Sequence, residues 1–229
     1  MPTIGDVEVH IPEGFMEAAD VAEQLREAVE DERSSQKHVE RFKSRAAITI
    51  AIMAMLLTIA SLGGENAMKA MIDSNIHASD TWAFYQAKNI RQTANELAAN
   101  DLEVILLTQG PTISEESRQQ IQQRIDRYRA TAARYESEPD PTDPTNPLKG
   151  EGKRELTARA RDFEAKRDLA QQQDPNFDFS IALFQIAIVV GSVAIISTSN
   201  RLLALSIVAG CVATVLMVNG YMLIFDLPG

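Results

Sequence analysis

Residue types that carry chemistry are thinly and irregularly spread along this chain. The three histidines, His10, His38 and His77, lie far apart with no cysteine beside them, so the ligand spacing of a metal centre is missing. The sole cysteine, Cys211, sits inside an apolar run, where a small core or lipid-facing residue accounts for it. A single cysteine also rules out an intramolecular disulfide. No glycine-rich phosphate loop, G-x-S-x-G elbow or H-E-x-x-H helix occurs. Asp and Glu are so abundant that paired carboxylates arise from composition alone and identify no acid and base. These features point away from an enzyme, and no cofactor is expected. A net charge of -10 without a basic stripe argues against nucleic acid, whose affinity comes largely from neutralised phosphates.

Two groups remain. Trp82, Phe84, Tyr85, Gln86 and Lys88 form the most distinctive cluster. Aromatics beside a cation are typical interface anchors, which makes Trp82, Tyr85, Gln86 and Lys88 candidate interaction residues. The plainer alternative is that Trp82 and Tyr85 seal one helix against another near Phe163. The second group is a pair of amides, Gln185 and Asn219, each set in an apolar stretch. An unpaired amide is costly in lipid, so a hydrogen bond between the two, or between copies of them, is expected.

The elements that must position these residues are set by hydrophobicity. Ala46–Gly64 is nineteen residues without a charge, preceded by RFKSR. At 1.5 Å rise, about twenty apolar residues cross the roughly 30 Å hydrocarbon layer of a bilayer. Two further spans are expected at Phe179–Ser197 and Leu202–Phe225. The acidic tail, residues 1–45, has breakers at Pro2, Gly5 and Pro12, then a helical pattern through Phe15, Ala18, Val21, Leu25 and Val29. Its first 13 residues read as a short extended or disordered piece. The basic run before Ala46 favours the cytoplasmic side, which puts the N-terminus inside and residues 65–178 outside. Phe177, Phe179, Phe184, Tyr221 and Phe225 would gather at one interface as an aromatic belt. Small residues at four-residue spacing (Ala47 and Ala51; Ala187 and Gly191; Ser206, Gly210 and Thr214) offer close helix approach.

Residues 65–178 read as an extramembrane helical hairpin. Ala83, Ala87, Ile90, Ala94, Leu97, Asp101 and Val104 alternate by four and three, the signature of a coiled-coil-like seam. A turn is expected at Thr108–Pro111. A second helix then starts at Thr112, in capping-box spacing with Glu115, with a seam at Ile121, Ile125, Tyr128, Ala132 and Tyr135. The proline-rich stretch 138–152 must be a loop. A last helix, bearing Leu156, Ala160, Phe163 and Ala170, is expected to stop at Asp174-Pro175. The outgoing arm, residues 65–108, would measure about 66 Å, and the two return pieces about 39 and 32 Å. A compact three-helix bundle would instead need a break near Gly63-Gly64 or Asn75.

The stretches SDTWAFYQAKNIRQ (Ser79 to Gln92) and LFQIAIVVGSVAI (Leu183 to Ile195), with the order anchor, helical middle, paired spans, resemble the DUF4337 family of uncharacterised bacterial membrane proteins. The resemblance implies a bacterial inner-membrane location and no established activity, and it supplies no catalytic residues. The expectation is therefore an all-α membrane protein in contact with the lipid bilayer. It would act as a self-associating scaffold or as an accessory subunit of a membrane complex, and a homo-oligomer is expected. The alternative is an oligomeric channel or transporter component.

Overall fold

The computed structural model describes residues 14–226, with side chains from Glu23 onward except Ala28. The expectations for residues 1–13, His10 among them, lie outside the described residues. Every described element is helical: α1 (Gly14–Gln109), a 3-10 turn (Gly110–Thr112), α2 (Glu115–Glu136), α3 (Lys153–Ser197) and α4 (Asn200–Met222). Three of them, α1, α3 and α4, are long and apolar enough to cross a membrane. The described residues divide into two compact units, one of residues 14–58 and 182–214, the other of residues 59–181 and 215–226.

In the first unit, stretches of α1, α3 and α4 meet through small side chains. Ser206 donates a hydrogen bond to the Ala187 carbonyl at 2.7 Å. A Cβ on Gly191 would lie 2.9 Å from Ser206 Oγ and 3.0 Å from Ile50 Cγ1, and one on Gly210 would lie 2.6 Å from Met53 Cε. The small residues expected on α3 and α4 thus sit at the contact. Those on α1 do not: Ala47 and Ala51 are exposed, and Ala46 and Met53 are buried in their place. Both sets have helical spacing, and only the facing helices decide between them. At the α3–α4 turn Thr198 adopts φ 49°, the left-handed position usually given to glycine, while Ser199 N–H reaches the Ala194 carbonyl. This is a Schellman closure of α3.

In the second unit α1 is continuous through Gly63 and Gly64, so the break that a compact bundle requires does not occur. A Cβ on Gly63 would run into the Phe177 ring and come within 2.8 Å of the Tyr221 hydroxyl. Phe177 and Tyr221 meet edge to face at 4.9 Å, and the Tyr221 hydroxyl donates to the Ile59 carbonyl. The aromatic belt is accordingly divided. Phe177 is a buried packing residue of this unit and Phe184 one of the first unit, whereas Phe179, Tyr221 and Phe225 are exposed.

Contacts between α1 and the return arm run in antiparallel order, from Glu103 with Arg129, through Trp82 with Glu164, to Gly64 with Phe177. Two expected boundaries are corrected. The cap of α2 is Ser114 rather than Thr112: its Oγ accepts from Ser117 N–H, while the Thr112 hydroxyl turns back to the Gln109 carbonyl. Moreover α3 does not stop at Pro175 but carries it inside. A proline costs a helix one backbone bond and some crowding. Burial of Asn176, Phe177 and Ser180 directly after it holds the helix together across that gap.

Replacing Gly63 with valine is expected to lower stability by about 1–3 kcal/mol, the usual effect of overpacking a tight contact. The measurement is a thermal melt in detergent followed by circular dichroism. An unchanged midpoint would mean that α1 and α3 do not approach this closely.

Candidate functional site

The Trp82–Lys88 segment lies on α1 where both ends of the proline-rich loop arrive. Lys88 is only 4% exposed. Its Nζ sits 3.2 Å from Glu138 Oε2 at the start of the loop and 3.7 Å from Glu151 Oε2 at its end. The rings of Phe84 and Tyr135 flank the ammonium at 5.5 and 5.9 Å from their centroids. A lysine is rarely so buried without partners. Here it gathers two carboxylates and two aromatic faces from three segments.

Lys153, at the start of α3, repeats the arrangement one step away. It pairs with Glu136 at 3.1 Å, donates to Asn89 Oδ1 at 3.0 Å, and lies over the Tyr85 ring. The Lys153 hydrogen bond draws the Glu136 carboxyl below the usual carboxylate range. Glu155 closes the loop from inside: it accepts from Ser137 Oγ at 2.8 Å and from Glu138 N–H at 3.2 Å. Burial works against its ionisation, yet these hydrogen bonds, its own backbone N–H and the charge of Arg154 outweigh that and hold it low. The loop between is a chain of tight turns. Asp140 accepts from Thr142 N–H and Oγ1, Asn146 accepts from Leu148 N–H, and Glu151 N–H reaches the Glu138 carbonyl. Arg159 also binds the Leu148 and Gly150 carbonyls. Gly152 must be a glycine, because a Cβ there would collide with Glu138 N and the Glu155 carboxylate.

The other candidates separate. Trp82 donates from its indole N–H to Glu164 at 2.8 Å and meets Tyr85 edge to face, so both are half-buried against α3. Phe163 stacks on His77 at 5.0 Å instead. Gln86 is exposed. Of the two amides in apolar stretches, Asn219 donates to Asn176 Oδ1 at 2.7 Å and to the Phe225 carbonyl at 2.8 Å, and accepts from Phe225 N–H. Its partner within the chain is therefore Asn176 rather than Gln185, which is exposed. Asn176 was missed because it stands next to Pro175, where the helix was expected to end.

The seam on α1 is the largest departure from expectation. In this unit the buried positions recur every seven residues as Ala60, Ala67, Ser74, Thr81 and Lys88, all small or polar except for the lysine stem. Ile76, Ile90, Leu97 and Val104 keep the same period two residues further on, about 200° around the helix, and are between 53% and 70% exposed. Ala83 and Ala94 share that outer face and are exposed as well. The return arm does use its apolar seam: Ile125, Ala132, Leu156, Ala160 and Ala170 are buried. It packs on the polar side of α1.

The fold defines an all-helical protein with three helices fit to cross a membrane and a two-armed helical unit clasped around a buried lysine. The family model described as Domain of unknown function (DUF4337) matches residues 42–223 of the 229, and the chain belongs to that family. No curated protein and no solved structure matches it.

Two outcomes follow for the clasp. Lys88→Met should cost about 1–3 kcal/mol in a thermal melt, less than the 3–5 kcal/mol of a fully buried broken pair because Glu138 and Glu151 keep some water. The depressed carboxyls of Glu136 and Glu155 stabilise the fold at pH values above the unfolded value of about 4.5. That stability is lost as pH falls through the lower folded values. Their contribution to the melt should be constant from neutral pH to about 4.5 and decline below it, and Glu155→Gln should flatten part of that decline.

Proposed function

We propose that this protein is a three-span integral protein of the bacterial inner membrane, N-terminus in the cytoplasm and residues 65–178 in the periplasm, whose helical unit associates with further copies as a scaffold without catalytic chemistry of its own. A role as accessory subunit of a larger membrane complex fits the same surface. The observation that carries this reading is the outward apolar face of α1, with Ile76, Ala83, Ile90, Leu97 and Val104 at seven-residue intervals.

A seven-residue apolar repeat sustained over four heptads is the pattern by which helices pair along their length. Each of the four large side chains is already between about a third and a half covered. Covering the remainder on two copies is worth about 8 kcal/mol, at roughly 1 kcal/mol apiece. Association in free solution costs roughly 4–15 kcal/mol, so the face alone is marginal. Copies inserted in one bilayer share their orientation beforehand, and that lowers the cost. Shared orientation also makes the seams parallel, which sets Asp101 against its counterpart. A polar residue within such a seam fixes register at some expense in stability.

Ile90→Glu with Leu97→Glu should convert the assembled protein to monomer in mild detergent, as read by native mass, with helix content unchanged because both positions are exposed. Asp101→Leu should strengthen assembly. Retention of the oligomer in the double variant would overturn the reading.

A further inference from the structure

The first unit contains a cleft of about 460 Å³ between α1 and the α3–α4 turn, within the size range of small-ligand sites. On α1 it is lined by His38, Arg41 and Arg45, spaced by three and four residues so that they share one face, with Phe42 beside them. The facing wall is the first turn of α4, through Asn200 and Leu203. The leading amide groups of a helix have no carbonyl within it and favour negative charge. No carboxylate lines the cleft. Among the described residues neither Arg41 nor Arg45 has an ion-pair partner, although acidic residues outnumber basic ones, 32 to 22. Two unpaired guanidinium groups, each offering a planar fork of donors, match the oxygens of a phosphate. Phe42 and Leu203 give the same cleft an apolar side, and the uncharged stretch of α1 begins at Ala46, immediately after Arg45.

We propose that this cleft binds the phosphate of an anionic phospholipid headgroup, with Arg41 and Arg45 as its ligands. The proposal rests on the membrane reading above. In the bilayer the cleft lies at the cytoplasmic headgroup level, where basic pockets between helices take anionic lipids. The phosphate is held by the guanidinium pair and the first turn of α4, and the acyl chains continue along the apolar sides below. A soluble phosphate compound would offer the same charge but no chains for the apolar wall.

The test uses the full chain purified in a neutral detergent, with retention of added phosphatidylglycerol, phosphatidylcholine or inorganic phosphate followed by native mass. Phosphatidylglycerol is expected to bind at least tenfold more tightly than phosphatidylcholine, and millimolar inorganic phosphate should not displace it. Arg41→Gln with Arg45→Gln should remove that preference. Lys37→Gln with Lys43→Gln, an equal charge change on the same helix outside the cleft, should keep it. Circular dichroism checks that both double variants fold, as exposed substitutions should. Equal loss in both pairs would reduce the effect to general attraction between charges and overturn the site. Displacement by inorganic phosphate would assign the cleft to a soluble ligand and overturn the lipid. A protein that needs no detergent would overturn the membrane reading itself. A protein that needs detergent but shows no lipid preference would overturn the cleft alone.

Discussion

The arrangement of the helical unit turns on a single buried ammonium group. Lys88 sits at a seven-residue position that Ala60, Ala67, Ser74 and Thr81 also occupy. Small residues at that position let the return arm come close, and the lysine then fixes where the arm must turn. Its two carboxylate partners stand at opposite ends of the proline-rich loop, so one side chain ties both ends of the loop to α1. Burying a charge is favourable only when its partners come with it. The clasp therefore specifies one register: a slip of the return arm by one turn would leave Lys88 buried among apolar groups without a counter-charge.

That choice of face explains the outer surface. A helix that spends its polar side on its own chain has to present its apolar side elsewhere. In α1 the consequence is a continuous aliphatic ridge on a part of the chain otherwise rich in charge. Monomeric proteins seldom leave such ridges uncovered. The internal contact is rich in hydrogen bonds and ion pairs, such as Trp82 with Glu164 and Asn89 with Lys153, and geometry rather than hydrophobic area gives it specificity. The outer face has the reverse character: area without directional groups, save Asp101.

Much of the fold was legible from residue order alone. Gly110-Pro111 marked the end of α1, the prolines between 138 and 152 marked the loop, and the apolar spacing of Ile125, Ala132, Leu156 and Ala160 marked the buried side of the return arm. The side of α1 that receives that arm was not legible. Hydrophobic periodicity identifies the greasiest stripe of a helix, and it carries no information about which partner covers it. In α1 the small and polar stripe wins because its residues admit close approach and its lysine finds carboxylates that only the folded chain supplies. The same limit hid the Asn176–Asn219 bond, which depends on α3 continuing through Pro175. Local rules end a helix there, and tertiary packing overrides them. Trp82 and Tyr85 do lie against the last helix, with Glu164 rather than Phe163 as the contact of the indole.

We propose opposite roles for the two stripes of α1, one turned toward its own chain and one toward other copies. Single cysteines at Leu97, on the outer face, and at Ala99, on the buried one, can be compared in native membranes after Cys211 is changed to serine. Oxidation is expected to link copies of the chain through the cysteine at position 97 and not through the one at 99. Cross-linking through position 99 with none through 97 would show that the outer stripe is not the face between copies.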